Sequence, residues 1–382
     1  MNYSRRDLGK LALAVPAVAL FDRPLFGSGL LQAKPNSKFN GVQVGVITYS
    51  YRQMPDQSAE ATLKYILDSG ISAVELMDTP AELFAGKPAA PPRQGGPGPG
   101  GARPGGGGLP GAGRAAAPPC VPGQGRQAAE GAARAGGGGR GAGGQRAEPT
   151  PEQQAAAAVQ AQYQADVKKW RTTVSMDKWK ALKKMYNDAG VTMYAYKTDA
   201  LPKNANTSNE ELDYVFSCAA AVGANHTTME LPPAGENGTA LLKRMAQFAE
   251  KHKVAVAYHT HGNGSMTAFD EAMAMSKWNM MNVDLGHYVA AGNVGGSPLE
   301  FLEKHHARIA SFHLKDRMLP INCGTTVPFG TGDGQIKEIL QLIKKNKWTF
   351  PATVELEYAI PQGSDPVQET KKCVEFAKAA LA

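Results

Sequence analysis

Residues 254–287 have the sequence VAVAYHTHGNGSMTAFDEAMAMSKWNMMNVDLGH. The alternation of apolar and mixed segments in this stretch predicts the fold. An apolar run at 254–259 is followed by a segment of mixed polarity at 266–275, and then by a second apolar run at 282–285. Short apolar runs separated by amphipathic segments are typical of strands that alternate with helices. The stretch therefore predicts two neighbouring parallel strands that are joined by a crossover helix.

The same alternation extends over most of the chain from residue 41 onward. Eight strands are predicted, at 42–49, 73–77, 192–197, 227–231, 254–259, 282–285, 309–314 and 352–356. The predicted helices lie at 59–69, 152–189, 209–222, 238–251, 266–275, 298–305, 335–345 and 366–380. Eight strand–helix units predict an α/β fold in which a parallel sheet closes into a (β/α)8 TIM barrel.

A low-complexity insert interrupts this pattern after the second strand. Residues 86–150 hold 22 of the 43 glycines and 11 of the 26 prolines. Such a composition cannot bury enough apolar surface to offset backbone entropy, so we expect a long disordered Gly/Pro/Ala-rich insert. A flexible tether and a tolerated surface expansion are both compatible with it. Without this insert and the leader, about 280 residues remain, close to the size typical of the barrel.

The first 33 residues have the features of an export signal. Arg5 and Arg6 precede an apolar run at 11–21 and resemble a twin-arginine motif. That run is far shorter than the ~20 residues that a membrane-spanning helix needs. We therefore expect a signal peptide at 1–33, a barrel over 34–382, a periplasmic location, and no stable membrane insertion after export.

The basic charge of the chain lies outside the predicted barrel. The formal net charge is +7, of which the insert contributes +6 and the leader +2, so that −1 is left for the rest. This distribution argues against nucleic acid as a partner. The four cysteines show no C-x-x-C spacing, and we expect neither a zinc knuckle nor a disulfide. The sequence leaves a homo-oligomer open.

Polar and ionisable side chains follow nearly every predicted strand, at the end where a parallel barrel has its active site. In chain order they are Tyr49 and Arg52, Glu75 and Asp78, Lys197, Glu230, His259 and His261, Asp284 and His287, His313 and Asp316, and Glu355 and Glu357. Four of the eight histidines of the chain belong to this set. A single such residue would be explained by a structural hydrogen bond, whereas this many on consecutive strands indicate a functional site.

The side-chain types in this set predict a metal centre. Imidazoles and carboxylates without a thiolate suit Mn²⁺, Zn²⁺, Co²⁺ or Fe²⁺. We expect one divalent ion to be bound by Glu230, Asp284, His313 and Glu355, with positions left open for water or for a bidentate sugar. His287, three residues after Asp284, would bind either a substrate oxygen or a second metal.

Three further residues of the set have open roles. His259 and His261 are two apart on an extended chain and therefore project toward the same face. They would support the ligands, serve as ligands, or act as acid and base. Glu75 would either contribute to the site or be an inward barrel carboxylate that is held by an arginine or a lysine.

Five short motifs resemble the sugar phosphate isomerase/epimerase family. This family is part of the xylose-isomerase-like TIM barrel superfamily, which also includes inosose dehydratase, ketose 3-epimerases and endonuclease IV. The resemblance covers roughly residues 40–380 outside the insert. The motifs are Ala73-Val74-Glu75-Leu76, Tyr258-His259-Thr260-His261-Gly262, Val283-Asp284-Leu285-Gly286-His287, Phe312-His313-Leu314-Lys315-Asp316 and Val354-Glu355-Leu356-Glu357.

The resemblance extends to a glycine-rich loop and includes one departure. Residues 330–334, Gly-Thr-Gly-Asp-Gly, resemble the family's loop after strand seven, whose backbone would approach the substrate. Ketose epimerases have a glutamate ligand at the end of strand five, where this chain has His259. In this respect the chain resembles the dehydratase-like branches, and Glu230 would then supply a carboxylate from strand four.

What the resemblance implies is metal-assisted proton transfer beside a carbonyl through an enediolate. Glu230 and Glu355 would remove and return the proton in epimerisation or isomerisation. His259 or His261 would be the acid if a β-hydroxyl or a glycosidic oxygen leaves. The residues expected to bind the sugar or keto-sugar are Tyr49, Arg52, Glu75, Lys197, His287, Lys315, Asp316 and Glu357.

Three functions stay open at this point. A metal-dependent sugar isomerase or epimerase comes first, and a lyase or dehydratase that acts on keto-sugars or oxidised glycosides comes second. The third is a non-catalytic sugar-binding barrel. A DNA-repair endonuclease is disfavoured, because export does not suit it and the barrel lacks the basic charge that phosphate binding requires.

Overall fold

The computed structural model describes residues 34–91, 150–198 and 207–382. The predicted leader at 1–33 lies outside these residues. The predicted disordered insert at 86–150 also lies outside them, except for residues 86–91 and 150, which form neither helix nor strand. Both predictions therefore stay predictions.

Eight parallel strands of the described residues form a closed barrel. They are β1 (Val42–Ile47), β2 (Ala73–Met77), β3 (Thr192–Lys197), β4 (His226–Glu230), β5 (Ala255–His259), β6 (Asn279–Asp284), β7 (Ile309–Leu314) and β8 (Ala352–Val354). Each strand pairs in parallel with the next one along the chain. The sheet is closed because β8 also pairs with β1, with Ala352 opposite Val44. The predicted (β/α)8 barrel is confirmed.

Helices surround the barrel. They are α1 (Ala59–Asp68), α2 (Asp78–Phe84), α3 (Pro151–Thr173), α4 (Asp177–Asp188), α5 (Asn209–Val222), α6 (Glu236–His252), α7 (Asp270–Met275), α8 (Leu285–Ala290), α9 (Pro298–His305), α10 (Ile336–Asn346) and α11 (Pro366–Ala380). Helix α10 shows how they pack. Its buried residues Ile336, Ile339, Leu340 and Ile343 recur at helical spacing and form one apolar face.

Several elements differ from the prediction, and one of them is the short helix α8 (Leu285–Ala290), which was not predicted. Helix α2 was not predicted, because Pro80 obscures it, although proline is tolerated in a first helical turn. The long helix predicted at 152–189 is two helices, since Val174 adopts an extended conformation after two threonines of low helix propensity. Strand β6 begins at Asn279, three residues before the predicted start. This start was missed because a polar side chain such as Asn279, although buried, does not indicate a strand.

The barrel interior contains polar side chains as well as apolar ones. Tyr194 of β3 reaches across the barrel, where its hydroxyl lies 2.8 Å from Thr353 Oγ1 of β8. Its ring occupies the space beside Gly45 of β1, where a Cβ atom would lie 2.5 Å from the Tyr194 hydroxyl. A glycine in β1 is therefore what lets this ring fill the interior.

Cys323 is disulfide-bonded, whereas Cys218 and Cys373 are free and buried. The expectation of no disulfide is therefore wrong, because spacing along the chain does not report proximity in space.

Among the described residues, no helix combines the length and the apolar character that crossing a membrane requires.

Candidate active site

The polar side chains predicted at the strand ends meet at the carboxyl end of the barrel. His313 of β7 lies at their centre and is fully buried. Its Nε2 lies 3.0 Å from Glu75 Oε2 of β2, and its Nδ1 lies 2.8 Å from Glu355 Oε2, which follows β8. Burial alone would lower the pKa of His313, but the carboxylates of Glu355 and Glu75 outweigh it and raise the pKa to about 10.

Glu75 is held by several hydrogen bonds inside the barrel. Its side chain is fully buried. The Thr228 hydroxyl donates to Oε1 at 2.8 Å, and Asn282 Nδ2 donates to Oε2 at 3.3 Å. Burial raises the pKa of Glu75, but the charge of His313 and its hydrogen bond lower it more, to about 2. Glu75 is thus an inward barrel carboxylate that is held by a histidine rather than by an arginine or lysine.

His259 and Asp284 extend this cluster onto β5 and β6. His259 Nδ1 lies 2.9 Å from Asn282 Oδ1 and 3.0 Å from the Asn282 carbonyl oxygen. Because both of these atoms are acceptors, Nδ1 carries the proton and Nε2 has a free lone pair. Nε2 lies 3.9 Å from Asp284 Oδ2, and His313 Nδ1 lies 3.8 Å from the same oxygen. These separations exceed hydrogen-bonding distance.

The cluster of His259, Asp284 and His313 fits a divalent metal ion. One ligand atom of each residue lies within 4.8 Å of the others, and all three side chains are buried. Asp284 Oδ2 is buried, and it forms an ion pair with Lys315 Nζ at 2.9 Å. The outer nitrogen of each imidazole is bonded to Asn282 or Glu75, which is the usual way in which a protein orients histidine ligands. Two imidazoles and a carboxylate suit Mn²⁺, Zn²⁺, Co²⁺ or Fe²⁺.

Lys315 joins three carboxylates beside this cluster. The buried ammonium lies 2.9 Å from Asp284 Oδ2, 2.8 Å from Glu355 Oε2 and 2.6 Å from Glu357 Oε2. Burial would lower the pKa of Lys315, but the charges of Asp284, Glu355 and Glu357 raise it above its usual range. The ammonium in turn holds the pKa of Asp284 and Glu355 well below the usual values, against the effect of burial.

A second cluster forms at the more exposed side of the site. Glu230, at the end of β4, lies with Oε2 2.9 Å from His261 Nδ1 and with Oε1 3.9 Å from Lys197 Nζ. Both Glu230 and His261 are about half exposed, at 47% and 53%. Burial raises the pKa of Glu230, but the hydrogen bond from His261 and the charge of His259 lower it to about 2. The same hydrogen bond raises the pKa of His261.

His259 connects the two clusters. Ligand atoms of Glu230, His259 and His261 lie within 4.8 Å of one another, as do those of His259, Asp284 and His313. Of the four predicted metal ligands, Asp284, His313 and Glu355 therefore lie side by side. Glu230 is grouped instead with the two histidines of the strand-five end.

His287 lies at the edge of both clusters. Its ring centroid is 4.5 Å from that of His261, and Nε2 lies 3.9 Å from Asp284 Oδ2 and from Glu357 Oε2. Burial lowers the pKa of His287 to about 3. The guanidinium of Arg317 lies 2.5 Å from His287 Nδ1. Since a guanidinium only donates, Nδ1 is the acceptor and Nε2 carries the ring proton.

Two of the predicted substrate-binding residues contact each other beside β1. The Arg52 guanidinium carbon lies 4.2 Å from the centre of the Tyr49 ring. Arg52 Nη1 donates to the backbone carbonyls of Tyr49, at 3.1 Å, and of Leu356, at 2.7 Å. Through these two hydrogen bonds, Arg52 connects the loop after β1 to the loop after β8.

Asp316 organises the glycine-rich loop at 330–334. Its carboxylate accepts hydrogen bonds from the backbone N–H groups of Gly330, Gly332 and Gly334, at 2.8, 3.0 and 3.0 Å. A Cβ atom on Gly332 would lie 2.4 Å from Asp316 Oδ1, so this close approach requires glycine. Asp316, predicted to bind substrate, is buried beneath the loop.

Sequence reasoning missed three residues of the site. Thr228 and Asn282 bind Glu75, and Arg317 binds His287. The period of two along a strand was a signal for the first two, because Asn282 and Thr228 precede Asp284 and Glu230 by two positions and face the same way. Arg317 follows the predicted strand seven by three residues and carried no such signal.

The family model for the xylose isomerase-like TIM barrel matches residues 156–380. This stretch is more than half of the chain, and the chain belongs to that family. A search of curated proteins finds no match.

Solved structures with the same fold support the assignment of the barrel. A sugar phosphate isomerase/epimerase from Parabacteroides distasonis ATCC 8503 has a TM-score of 0.51 at 14% identity, over 89% of this chain and 95% of that one. An L-ribulose 3-epimerase has a TM-score of 0.51 at 10% identity, over 89% and 94%. The probable 3-DHS dehydratase AsbF of petrobactin synthesis from Bacillus anthracis has a TM-score of 0.51 at 12% identity, over 88% and 99%. At these identities the likeness shows the fold alone.

Proposed function

We propose that this protein is a divalent-metal-dependent isomerase or epimerase that acts on a sugar or keto-sugar by proton transfer beside the carbonyl. The observation that carries the proposal is the cluster of His259 Nε2, Asp284 Oδ2 and His313 Nδ1, which lies at the catalytic end of the barrel directly beside ionised glutamates. Membership of the xylose isomerase-like family supports it.

His259, Asp284 and His313 would hold the metal, with Glu355 next to them. A bound divalent cation would polarise a carbonyl and the neighbouring hydroxyl, and would thereby acidify the C–H bond between them. The chain's own residues prepare this site. Asn282 fixes the tautomer of His259. Glu75 orients His313, whose Nδ1 would bind the metal in place of the proton that it now shares with Glu355. Lys315 balances the charge of the surrounding carboxylates.

Glu230 and His261 form a base and an acid on the open side of the site. The low pKa of Glu230 keeps its carboxylate ionised, and a bound cation that acidifies the C–H bond would let this weak base take the proton. The raised pKa of His261 keeps a proton available for the carbonyl oxygen. As the C–H proton goes to Glu230, the C–H electron pair forms the C=C bond of the enediol, and the π pair of the carbonyl moves to the oxygen, which His261 protonates.

Glu355 is the second carboxylate of the proposed mechanism. It is buried, and it contacts His313 and Lys315 rather than His261. Glu355 lies in a cluster separate from that of Glu230. A proton that it relays from the Lys315 ammonium, 2.8 Å away, would therefore reach the carbon from a different direction than the one in which the first proton left. Return at the same carbon would give epimerisation, and return at the neighbouring carbon would give aldose–ketose isomerisation.

A lyase or dehydratase is the second candidate, and one observation favours it. His261 carries a proton next to the proposed base and could donate it to a departing β-hydroxyl or glycosidic oxygen. The probable dehydratase from Bacillus anthracis has the same fold. The two candidates share the first step, and they differ in whether a group leaves the β-carbon.

The test is hydrogen exchange in D₂O. Purified protein loaded with Mn²⁺ is incubated with a panel of free ketoses, aldoses and 3-keto-glycosides, and deuterium incorporation is followed by mass spectrometry. We expect incorporation into at least one sugar, and loss of nearly all of it in Glu230→Gln and Glu355→Gln. Glu250→Gln, on the exposed face of α6, is the matched control and should exchange normally.

The outcomes separate the alternatives. Deuterium in a recovered epimer or isomer supports the first candidate, and an unsaturated product supports the lyase. Saturable sugar binding without exchange, in protein that retains no metal after dialysis, would favour a non-catalytic sugar-binding barrel and would overturn the proposal.

We also propose that the protein is exported through residues 1–33, on the strength of the paired Arg5 and Arg6 before an apolar run. The substrate would then be met outside the inner membrane.

A further inference from the structure

A second cleft lies at the opposite end of the barrel from the candidate active site. It encloses about 600 Å³ and is lined by residues at the amino ends of four neighbouring strands and just before β8. Asn225 precedes β4, Ala255 begins β5 and Ile309 begins β7. Catalytic residues of TIM barrels lie at the other end, so this cleft is separate from the proposed chemistry.

Two tryptophans give the cleft its chemical character. Trp278 and Trp348 both line it. His306 stacks on Trp348, with ring centroids 4.8 Å apart and planes within 9°. Trp278 Nε1 is buried and donates no hydrogen bond within the described part of the chain.

The charge of the cleft is positive. Lys277 and Lys347 are exposed and line it, and the described lining residues include no aspartate or glutamate. The ammonium groups of Lys253 and Lys277 lie 5.4 and 5.7 Å from the centre of the Trp278 ring. Cationic side chains without carboxylates beside them favour an anionic ligand.

Two lysines beside the cleft lie at helix C-termini and have an unusual backbone conformation. Lys347 and Lys253 have φ angles of 56° and 57°, in the left-handed region that normally favours glycine. Each of them follows the last turn of a helix, α10 or α6, where a cationic side chain also offsets the helix dipole. A lysine at the end of each helix therefore suits the helix dipole. Its left-handed backbone is less favourable than that of a glycine, and its ammonium lies beside the cleft.

We propose that this cleft is a second, non-catalytic binding site for an acidic saccharide, whose carboxylate pairs with Lys277 and Lys347 and whose ring packs against the tryptophans. Indole surfaces accept the apolar faces of sugar rings. Arginine, whose fork binds phosphate in a bidentate manner, is not among the described lining residues. The choice of a saccharide rests on the proposed function.

The cleft can be monitored without any assay of activity. The chain has four tryptophans, and Trp170 and Trp179 pack against each other in α3 and α4, with ring centroids 6.0 Å apart. A change in tryptophan fluorescence on titration therefore reports Trp278 and Trp348. The probes are a galacturonate trisaccharide, the neutral maltotriose and inorganic phosphate, each titrated into the full-length protein.

We expect saturable binding of the galacturonate trisaccharide, weakened by salt and absent for maltotriose. Lys277→Glu/Lys347→Glu and Trp348→Ala should each weaken it at least about tenfold. Lys243→Glu, an exposed charge reversal on α6, is the control and should bind normally. Trp348→Phe keeps an aromatic ring and should retain most of the affinity. Melting temperatures verify that each variant is folded.

Several results would overturn the proposal. These are the absence of saturable binding of the acidic trisaccharide, binding that the double lysine variant leaves unchanged, and preferential saturation by inorganic phosphate. Glu230→Gln separates this proposal from the proposed function. This variant should keep cleft binding and lose hydrogen exchange, so that a failure of one does not imply a failure of the other.

Discussion

Glu75 Oε2 lies 3.0 Å from His313 Nε2, although the two residues are 238 positions apart in the chain. The contact exists because β2 and β7 both direct a side chain into the barrel interior. Its consequence is chemical, since a carboxylate on one imidazole nitrogen orients the ring and makes the other nitrogen a better ligand.

Glu75→Gln should therefore weaken metal binding. The amide keeps the shape of the side chain but removes the charge that orients and polarises His313, and losses of this kind are about 10- to 100-fold in metal affinity. The measurement is a competition titration against a fluorescent chelator. Glu82→Gln is the control, because Glu82 is equally buried and ion-paired, but with Arg171 and Lys87. Equal affinities in wild type and Glu75→Gln would contradict the role assigned to Glu75.

Asp316→Asn should loosen the glycine-rich loop. The asparagine offers one oxygen in place of two, and its amide would face the backbone N–H groups that Asp316 now binds. Hydrogen bonds to a charged group contribute about 1.5–3 kcal/mol each, so we expect a marked loss of stability with local exposure. Hydrogen–deuterium exchange of the amides at 330–334 is the measurement. Asp188→Asn, exposed at the end of α4, should leave these amides protected.

His226 predicts a dependence of stability on pH. It is fully buried, with Nε2 2.9 Å from Ser311 Oγ, and burial lowers its pKa to about 4. The unfolded chain, with a histidine pKa of about 6.5, binds a proton that the folded chain does not bind between these values. The stabilisation from neutral His226 is therefore complete above about pH 6.5 and is lost as the pH falls toward 4.

The size of this effect can be measured by urea unfolding at pH 7 and pH 5. Wild type should lose about 2 kcal/mol more than His226→Gln between the two values, because glutamine does not titrate. Both proteins are measured with a chelator present, so that release of metal does not contribute. Parallel losses in the two proteins would show that His226 is not the group responsible.

The leader supplies a prediction in the cell. Changing Arg5 and Arg6 together to lysine should hold the protein in the cytoplasm if the twin-arginine route is used. Cell fractionation detects this, with a periplasmic protein of another export route as the control. Normal export of the double variant would indicate a different route for this chain.

The strand ends were largely predictable from the sequence because the barrel imposes a simple rule. Each parallel strand ends at the same rim, so His259, Asp284 and His313 had to meet once eight strands were recognised. The supporting side chains were harder to predict. Asn282 and Thr228 look like ordinary polar interruptions of a strand, and only the closed barrel shows that both contact Glu75.

The sequence also did not predict how the proposed metal ligands are grouped. Glu230 and His259 end adjacent strands and are paired in register, yet Glu230 contacts His261, two residues after β5, rather than Asp284. Which of two neighbouring histidines faces the centre depends on side-chain hydrogen bonds, and here Asn282 settles it for His259. Spacing alone indicates a shared face without this detail.

The glycine-rich loop at 330–334 has one more consequence, which concerns phosphate. Consecutive backbone N–H groups in glycine loops commonly cradle the phosphate of a ligand. In this chain the N–H groups of Gly330, Gly332 and Gly334 already surround the carboxylate of Asp316. The loop thus contains its own permanent anion, and a phosphorylated sugar could use these N–H groups only by displacing a buried side chain. Under the proposed function, this arrangement would favour an unphosphorylated sugar.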